Sequence, residues 1–253
     1  MKLFQQITLF FSNTIPFLWL SPSHPHLYVG AAMLPPLSYF FSAKLISNFF
    51  FKTLITTIIP TKIMEILTKR DVEVRKNELI SRVKDGAIFI YPTDTIYGIV
   101  CDATNGIAIQ KLRELKKRPI DKALSVWAPN KKWIEENCDI SSDNAKEYLP
   151  LLPGKYTLLI PLKNKKAIAK NVAPSKEFLG VRLPNHWFNS FINDLEVPII
   201  TTSVNKSSEP FMTSIDDLDP RIGNYVDFII SVGEIKNKPS KIVNCKTKQI
   251  INR

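Results

Sequence analysis

Polar side chains that could hold small anions are concentrated in four short segments of the 253-residue chain. The first segment, residues 91–98, places Thr93, Asp94, Thr95 and Tyr97 directly after an apolar run. Burying hydroxyl and carboxylate groups without partners is costly, so they must bond either a ligand or their own backbone in a turn. The residue types alone leave both interpretations open.

The second segment, residues 115–122, collects the cations Lys116, Lys117, Arg118 and Lys122 at the end of a helical pattern. Cations at this position complement the negative end of the helix dipole, which is one sufficient explanation. The other explanation is a polyphosphate ligand, because Pro119 restricts the backbone after the helix and a guanidinium beside ammonium groups suits such a ligand. The sequence contains no GxxxxGK[ST] motif and is therefore not a P-loop NTPase.

The third and fourth segments each follow or interrupt an apolar run. Ser203 and Asn205 are two positions apart after residues 197–200, so on extended backbone their side chains face the same way. Arg182 interrupts residues 179–184, where a charge is costly unless it meets an anion or sits at a surface edge. These residue types predict hydroxyl, amide and guanidinium groups around an anionic ligand.

The charge distribution separates the chain into two parts. Residues 1–64 contain no Asp, Glu or Arg, whereas acids and bases are mixed from Glu65 onward. The formal net charge of +11 favours an anionic partner, either nucleotide phosphates or a nucleic-acid backbone, although a generally basic proteome would also explain it.

The cysteines and histidines indicate neither a disulfide framework nor a zinc site. Three widely spaced Cys residues and three His residues form no ligand pattern. Buried thiols in a reducing compartment are the default interpretation, and they favour a cytoplasmic location.

Residues 1–63 allow three interpretations. Pro16, Pro22 and Lys52 interrupt the apolar stretches that a membrane anchor would need. A transit peptide is acid-poor, as this segment is, but it is typically rich in Arg. The third interpretation is a mis-assigned start, with Met64 beginning the protein where the composition changes; we favour it, and we predict a domain over 64–253.

Apolar periodicity after Met64 predicts alternating helices and strands, with helices over 71–84, 105–117, 133–149 (in two pieces) and 187–195, and strands over 87–91, 123–128, 156–162, 180–183, 198–202, 226–232 and 240–245. This alternation indicates a single α/β domain with a largely buried sheet. Ligands of such sheets bind beyond the strand ends, where the four polar segments lie.

The segments together resemble the YrdC-like family of threonylcarbamoyl-AMP synthases. The resemblance starts near Met64, runs almost to the end of the chain, and consists of six motifs in the family's order: Pro92–Gly98, Lys116–Arg118 with Lys122, Pro153–Thr157, Val181–Pro184, Ser203–Asn205 and Pro239–Ile242. Ile99, Lys155, Thr201-Thr202 and Val204 depart mildly from the family pattern. Because the chain stops at Arg253, it resembles the single-domain form.

The resemblance implies a twisted sheet flanked by helices with a basic concave groove, and a nucleotidyltransferase reaction. L-threonine, bicarbonate and ATP would give threonylcarbamoyl-AMP and pyrophosphate, for the threonylcarbamoyladenosine modification of tRNA. By the same resemblance, Lys116, Arg118 and Lys122 would bind ATP phosphates, with Lys116 and Arg118 catalytic; Asn205 and Thr213 would contact ATP; and Thr95, Arg182 and Ser203 would bind threonine. Mg²⁺ would enter on the phosphate oxygens without a protein metal cage.

Other functions stay in view. The same fold with a basic face could be a double-stranded RNA or tRNA-binding module without synthase activity. It could also be a carbamoyl-transfer domain as in hydrogenase maturation proteins, but those carry zinc-finger and acylphosphatase-like regions for which this sequence has no pattern. In the synthase interpretation, a downstream tRNA threonylcarbamoyl transferase receives the product.

Overall fold

The computed structural model describes residues 64–174, 177–205 and 209–252, which all belong to one compact unit. The expectations for residues 1–63 therefore lie outside the described residues. The strands of the described part are β1 (Glu65–Leu67), β2 (Phe89–Tyr91), β3 (Gly98–Val100), β4 (Ser125–Trp127), β5 (Tyr156–Pro161), β6 (Phe178–Arg182), β7 (Ile199–Ser203), β8 (Phe228–Ile230), β9 (Lys241–Asn244) and β10 (Ile250–Ile251). Its α-helices are α1 (Lys69–Val74), α2 (Lys76–Lys84), α3 (Gly106–Leu115), α4 (Lys131–Asn137), α5 (Asp143–Tyr148), α6 (Asn189–Leu195) and α7 (Pro220–Gly223). Short 3₁₀ helices cover Leu149–Leu151 and Ile215–Asp217.

The strands form one mixed sheet in the order β1-β8-β2-β3-β7-β4-β6-β5-β9-β10. Strands β1, β8 and β2 are parallel, as are the pairs β4–β6 and β5–β9, whereas β3 and β7 run antiparallel to their neighbours. Every residue of β2, β3 and β8 is buried, so both faces of the sheet are covered there. This twisted sheet flanked by helices confirms the predicted α/β class.

Helix predictions were confirmed with corrected boundaries. The helix predicted over 71–84 is two helices, because Arg75 leaves the helical conformation while its guanidinium contacts Glu65 and Glu78. The first of them starts early, since the Thr68 side chain caps it together with Asp71. The two predicted pieces of 133–149 are α4 and α5.

Three strands of the described part, β1, β10 and β3, were missed in the sequence, and β3 is the one that bears on the site. It follows a polar segment and has only three residues, which is too short for an alternation pattern. Tyr91 of β2 pairs with Gly98 of β3, so residues 92–97 connect two antiparallel neighbours. The first polar segment is thus a connection held tightly at both ends.

The core between sheet and helices is aromatic near the connection between β2 and β3. Tyr91, Trp127 and Phe188 are fully buried, with ring centroids 5.2 to 6.1 Å apart. Trp127 Nε1 donates to Asn189 Oδ1 over 2.9 Å, so the one polar group of this indole has a partner. This packed aromatic cluster supports residues 92–97 from the core side.

The three thiols, of Cys101, Cys138 and Cys245, are free and buried, as predicted. Burial raises the pKa of Cys138 to about 12 and that of Cys245 to about 11. None of the helices in the described part of the chain has both the length and the apolar character needed to cross a bilayer.

Candidate active site

A cavity of about 200 Å³ opens where the connection between β2 and β3 meets the ends of β6 and β7. All six sequence motifs contribute residues to its wall, although Arg118 is the one residue of the second motif that does. The lining includes Thr95, Arg118, Thr157, Arg182, Ser203 and Ser240. Motifs separated by well over a hundred residues in sequence therefore line one cavity.

Residues 92–97 form a turn and also part of the cavity wall. Thr93 Oγ1 accepts hydrogen bonds from the backbone N–H groups of Thr95 (3.0 Å) and Ile96 (3.2 Å) and donates to the Ile96 carbonyl (2.7 Å). Because that donation uses the Thr93 proton, the Thr95 hydroxyl donates to Thr93 Oγ1 over 2.8 Å. Thr93 thus holds the turn, and Thr95 faces the cavity.

Arg182 ends β6 and is buried against an internal anion. Its Nη2 donates to Asp94 Oδ1 over 3.0 Å and to Thr95 Oγ1 over 3.2 Å, with only 8% and 6% of the Arg182 and Asp94 side chains exposed. Burial raises the pKa of Asp94, and the Arg182 guanidinium opposes that rise. The surface-edge alternative for Arg182 is wrong.

Arg182 also has unused hydrogen-bonding capacity. Its Nε is buried and has no hydrogen-bond partner among the described residues. Buried polar groups without a partner are rare, so this charged donor marks Arg182 as a group that could bind one oxygen of a ligand carboxylate.

Lys116 lies behind the cavity wall and is only 2% exposed. Its ammonium donates to the carbonyls of Ser203 and Asn205, the second over 2.6 Å, and to Asn205 Oδ1 over 3.3 Å. Burial, together with the charge of Arg118, lowers the pKa of Lys116 to about 7. Ser203 Oγ donates to Asn205 Oδ1, so these two side chains do lie on the same side.

The loop after α3 presents Arg118 to the cavity. Arg118 Nη2 donates to the Ala123 carbonyl over 2.6 Å, which fixes the guanidinium from behind. Arg113, only 2% exposed, donates to the carbonyls of Pro119 (2.8 Å) and Lys122 (3.0 Å). Arg113 was missed in the sequence. An Arg beside the apolar face of a helix is a signal for a buried side chain that bonds nearby backbone carbonyls, as Arg113 does here.

Of the five sequence-predicted ATP contacts, four do not line this cavity: Lys116 and Asn205 lie behind Ser203, and Lys122 and Thr213 make other contacts. The Lys122 side chain is exposed, and its backbone carbonyl accepts from Arg118 Nε over 3.3 Å. Thr213 donates its hydroxyl to Asp217 Oδ2 over 2.6 Å, at the start of a 3₁₀ helix. The structure therefore brings Thr95, Arg118, Arg182 and Ser203 together around the cavity, with Lys116 and Asn205 behind Ser203; the ligand roles of all eight residues stay predictions.

Several hydroxyl side chains of the cavity received no role from the sequence, among them Thr157, Ser240 and Ser125. Thr157 and Ser240, each 1% exposed, hydrogen-bond to each other over 2.8 Å across neighbouring parallel segments. Ser125 lies on the same wall, beside Gly180. Thr157 and Ser240 do belong to two of the six motifs, which named no role for them, whereas Ser125 lies inside an apolar run and had no signal in the sequence.

A family model described as Sua5/YciO/YrdC, telomere recombination, matches residues 81–253. The chain therefore belongs to the Sua5/YciO/YrdC family, which confirms the resemblance seen in the motifs. A relative from Methanocaldococcus jannaschii named putative threonylcarbamoyl-AMP synthase is 35% identical over 187 residues, covering 73% of this chain and 84% of the relative.

Two solved structures share the fold. The crystal structure of P. abyssi Sua5 complexed with L-threonine has a TM-score of 0.66 at 22% identity, covering 75% of this chain and 56% of that one. Full-length HypF in its phosphate- and nucleotide-bound form has a TM-score of 0.59 at 23% identity, covering 67% and 27%. The chain thus spans about half the length of the Sua5 chain it matches.

Proposed function

We propose that the chain is a nucleotidyltransferase that makes L-threonylcarbamoyl-AMP and pyrophosphate from L-threonine, bicarbonate and ATP. The observation that carries the proposal is one cavity lined by a buried arginine with an unpaired Nε, several hydroxyls and a second, backbone-held arginine. The curated relative's name, the threonine complex of Sua5 and the nucleotide complex of HypF support the same substrates.

The reaction needs two bond-forming steps. The amino nitrogen of threonine attacks the carbon of bicarbonate, and loss of water leaves a carbamate. A carbamate oxygen then attacks the α-phosphorus of ATP, and the bond from that phosphorus to the bridging oxygen breaks to release pyrophosphate. Fixed cations and positioning lower the barrier of such a transfer, and a dedicated general base is not essential.

The side chains divide this work by charge. Arg182 would bind the threonine carboxylate, and the hydroxyls of Thr95 and Ser203 would orient the amino acid. Arg118 would neutralise charge on the phosphates. Lys116 would do the same if its ammonium moved one hydrogen bond from a backbone carbonyl to a phosphate oxygen. Lys122, Asn205 and Thr213 would contact the nucleotide outside the cavity.

Mg²⁺ would arrive with ATP. No group of three or more His, Cys, Asp or Glu side chains in the described ranges could hold a metal, and Asp94 is already paired with Arg182. This donor set fits an ion that keeps water and phosphate ligands, as Mg²⁺ does. When bound, the ion would neutralise the leaving pyrophosphate.

Pyrophosphate release by the full chain tests the proposal. We expect release with ATP, Mg²⁺ and bicarbonate to require threonine, and labelled bicarbonate to enter the product. Release that is independent of threonine would sink the proposal. No release from folded protein, together with salt-sensitive binding of structured RNA, would favour the RNA-binding module.

The chemistry of the product implies a consumer. A mixed anhydride of a carbamate and AMP is activated for acyl transfer and hydrolyses in water. We therefore expect a tRNA threonylcarbamoyl transferase to act on it soon after release, for modification of tRNA in the cytoplasm.

A further inference from the structure

We infer that Asp94 is a positioning residue for Arg182, holding one side of the guanidinium so that Nε stays available for the carboxylate of the amino-acid substrate. The inference rests on the proposed function, because that function makes threonine the ligand. It adds to the site a residue that does not itself line the cavity.

Asp94 is anchored from three directions. Its Oδ1 accepts from Arg182 Nη2 over 3.0 Å, and its Oδ2 accepts from the Asn185 backbone N–H over 3.2 Å. Asn237 Nδ2 donates to the Asp94 backbone carbonyl over 3.5 Å. Since the carboxylate has a partner on each oxygen and only 6% exposure, it cannot turn without breaking a buried contact.

The contacts on Arg182 all fall on one nitrogen. Nη2 donates to both Asp94 and Thr95, while Nε is buried with no hydrogen-bond partner in the described part of the chain. A guanidinium is a rigid planar fork, so fixing Nη2 also fixes the direction of Nε. Because both hydrogens of Nη2 are engaged, a substrate carboxylate would accept from Nε through one oxygen and leave the Nη2 contacts in place.

Asp94 also sets the charge that an incoming anion meets. The Asp94–Arg182 pair is neutral in sum, and Lys155 adds positive charge near Asp94. An unpaired Arg182 would bind any small anion, including bicarbonate or phosphate. The paired guanidinium has a fixed orientation, so it favours an anion whose shape places an oxygen opposite Nε. Asp94 therefore favours the amino-acid carboxylate through orientation rather than through net charge.

The variant Asp94→Asn, in the full chain, tests this role because it keeps the size of the side chain but replaces one acceptor oxygen by an NH₂ group, so the side chain can no longer accept from both Arg182 and the Asn185 N–H. We expect the threonine Kd, measured by calorimetry, and the threonine KM to rise about tenfold or more, with the ATP KM nearly unchanged. Asp102→Asn is the matched control: Asp102 is 5% exposed, does not line the cavity, and accepts from Thr104 N and Oγ1 at 2.7 Å. The control should leave threonine binding as it is.

Two results would overturn the inference: folded Asp94→Asn protein that keeps the wild-type threonine Kd, or a parallel loss of threonine and ATP affinity, which indicates a purely structural role. If Asp94→Asn does not fold, Asp94→Glu serves, since it keeps the charge and displaces the carboxylate by one methylene. A higher threonine Kd in Asp94→Glu supports positioning, and an unchanged Kd overturns it. Failure of the proposed function is distinct, because it shows in the wild-type protein as pyrophosphate release without a threonine requirement.

Discussion

Lys116 carries a charge that depends on pH near neutrality. Its ammonium is buried behind Ser203, and its pKa is lowered to about 7 from 10.5. Between those pH values the unfolded chain binds more protons than the folded chain at this residue, so the free energy of unfolding should rise with pH across that window. Catalysis should change in the opposite direction, because only the ammonium form of Lys116 can neutralise a phosphate.

The pH dependence of kcat/KM for ATP checks this. We expect kcat/KM to fall as pH rises through about 7, since free protein loses the Lys116 proton there. In Lys116→Arg the charge persists at every accessible pH, so this fall should disappear. An identical pH profile in both proteins would assign the titration to another group.

Arg118 and Lys117 are adjacent cations with different surroundings. Arg118 lines the cavity and is fixed by the Ala123 carbonyl, whereas Lys117 is exposed and does not line it. We expect Arg118→Ala to lower kcat/KM for ATP about 100-fold or more, which is typical when a preorganised donor to developing charge is lost. Steady-state pyrophosphate release measures the loss.

Lys117→Ala is the matched control for Arg118→Ala. It removes one positive charge from the same loop but none from the cavity, so turnover should stay near that of wild type. Equal losses in the two variants would indicate that the net charge of the loop matters, rather than the placement of one guanidinium. Circular dichroism of both variants checks that the fold is intact.

At the scale of elements, α3 and its following loop deliver the cations. The Asn105 side chain caps the helix by accepting from the N–H groups of Ile107 and Ala108, and Arg113 ties the loop back through the carbonyls of Pro119 and Lys122. Because both ends are held, Lys116 and Arg118 occupy defined positions before any ligand arrives.

Gly180 lies between neighbouring strands of the cavity wall and leaves little room for a side chain. A Cβ at Gly180 of β6 would lie 2.5 Å from Ser125 Oγ and 3.4 Å from Thr157 Cγ2, so Gly180→Ala must push Ser125 aside. Overpacking of this kind costs about 1–3 kcal/mol of stability. We expect a lower melting temperature and a loss of threonine-dependent turnover, since Ser125 and Thr157 line the cavity.

Gly106→Ala provides the comparison for Gly180→Ala. Gly106 begins α3, and the nearest atom to an added Cβ is 3.7 Å away. Alanine there should be neutral or stabilise by up to about 1 kcal/mol, because it restricts the unfolded chain. A melting temperature that falls equally in both variants would contradict the packing argument at Gly180.

At the scale of the whole molecule, the cavity and the ten strands described lie within residues 65–251. We therefore expect a protein that begins at Met64 to match the full chain in the melting temperature of this unit and in kcat/KM for threonine. Loss of turnover on removal of residues 1–63 would contradict this and assign those residues a part in catalysis.

A shorter protein that begins at Thr68, and so keeps the residue that caps α1, is the control for the truncation. It also lacks β1 (Glu65–Leu67), which pairs in parallel with β8 and carries Glu65, a partner of both Arg75 and Arg82. Its melting temperature should fall, because β8 loses ladder hydrogen bonds on one side. The comparison separates an effect of length from an effect of strand pairing.

Local pattern was enough to predict the α/β class, the main helices and the segments that carry chemistry. The helix predicted over 105–117 is Gly106–Leu115, because the cap at Asn105 and the stop before Pro119 are both local signals. Strand β3 could not be predicted in the same way, since its three residues are a strand only by pairing with β2 and β7.

The partners of the site residues were decided by tertiary structure alone. Apolar periodicity indicated that Arg182 needs an anion, but only the fold shows that Asp94, 88 positions earlier, supplies it. In the same way the sequence predicted that Lys116 binds phosphate. Only the fold shows that its ammonium donates to the Ser203 and Asn205 carbonyls. The reason is physical: capping, turn and strand preferences act over a few residues, whereas charge pairing and burial depend on which distant segments the packed sheet brings together.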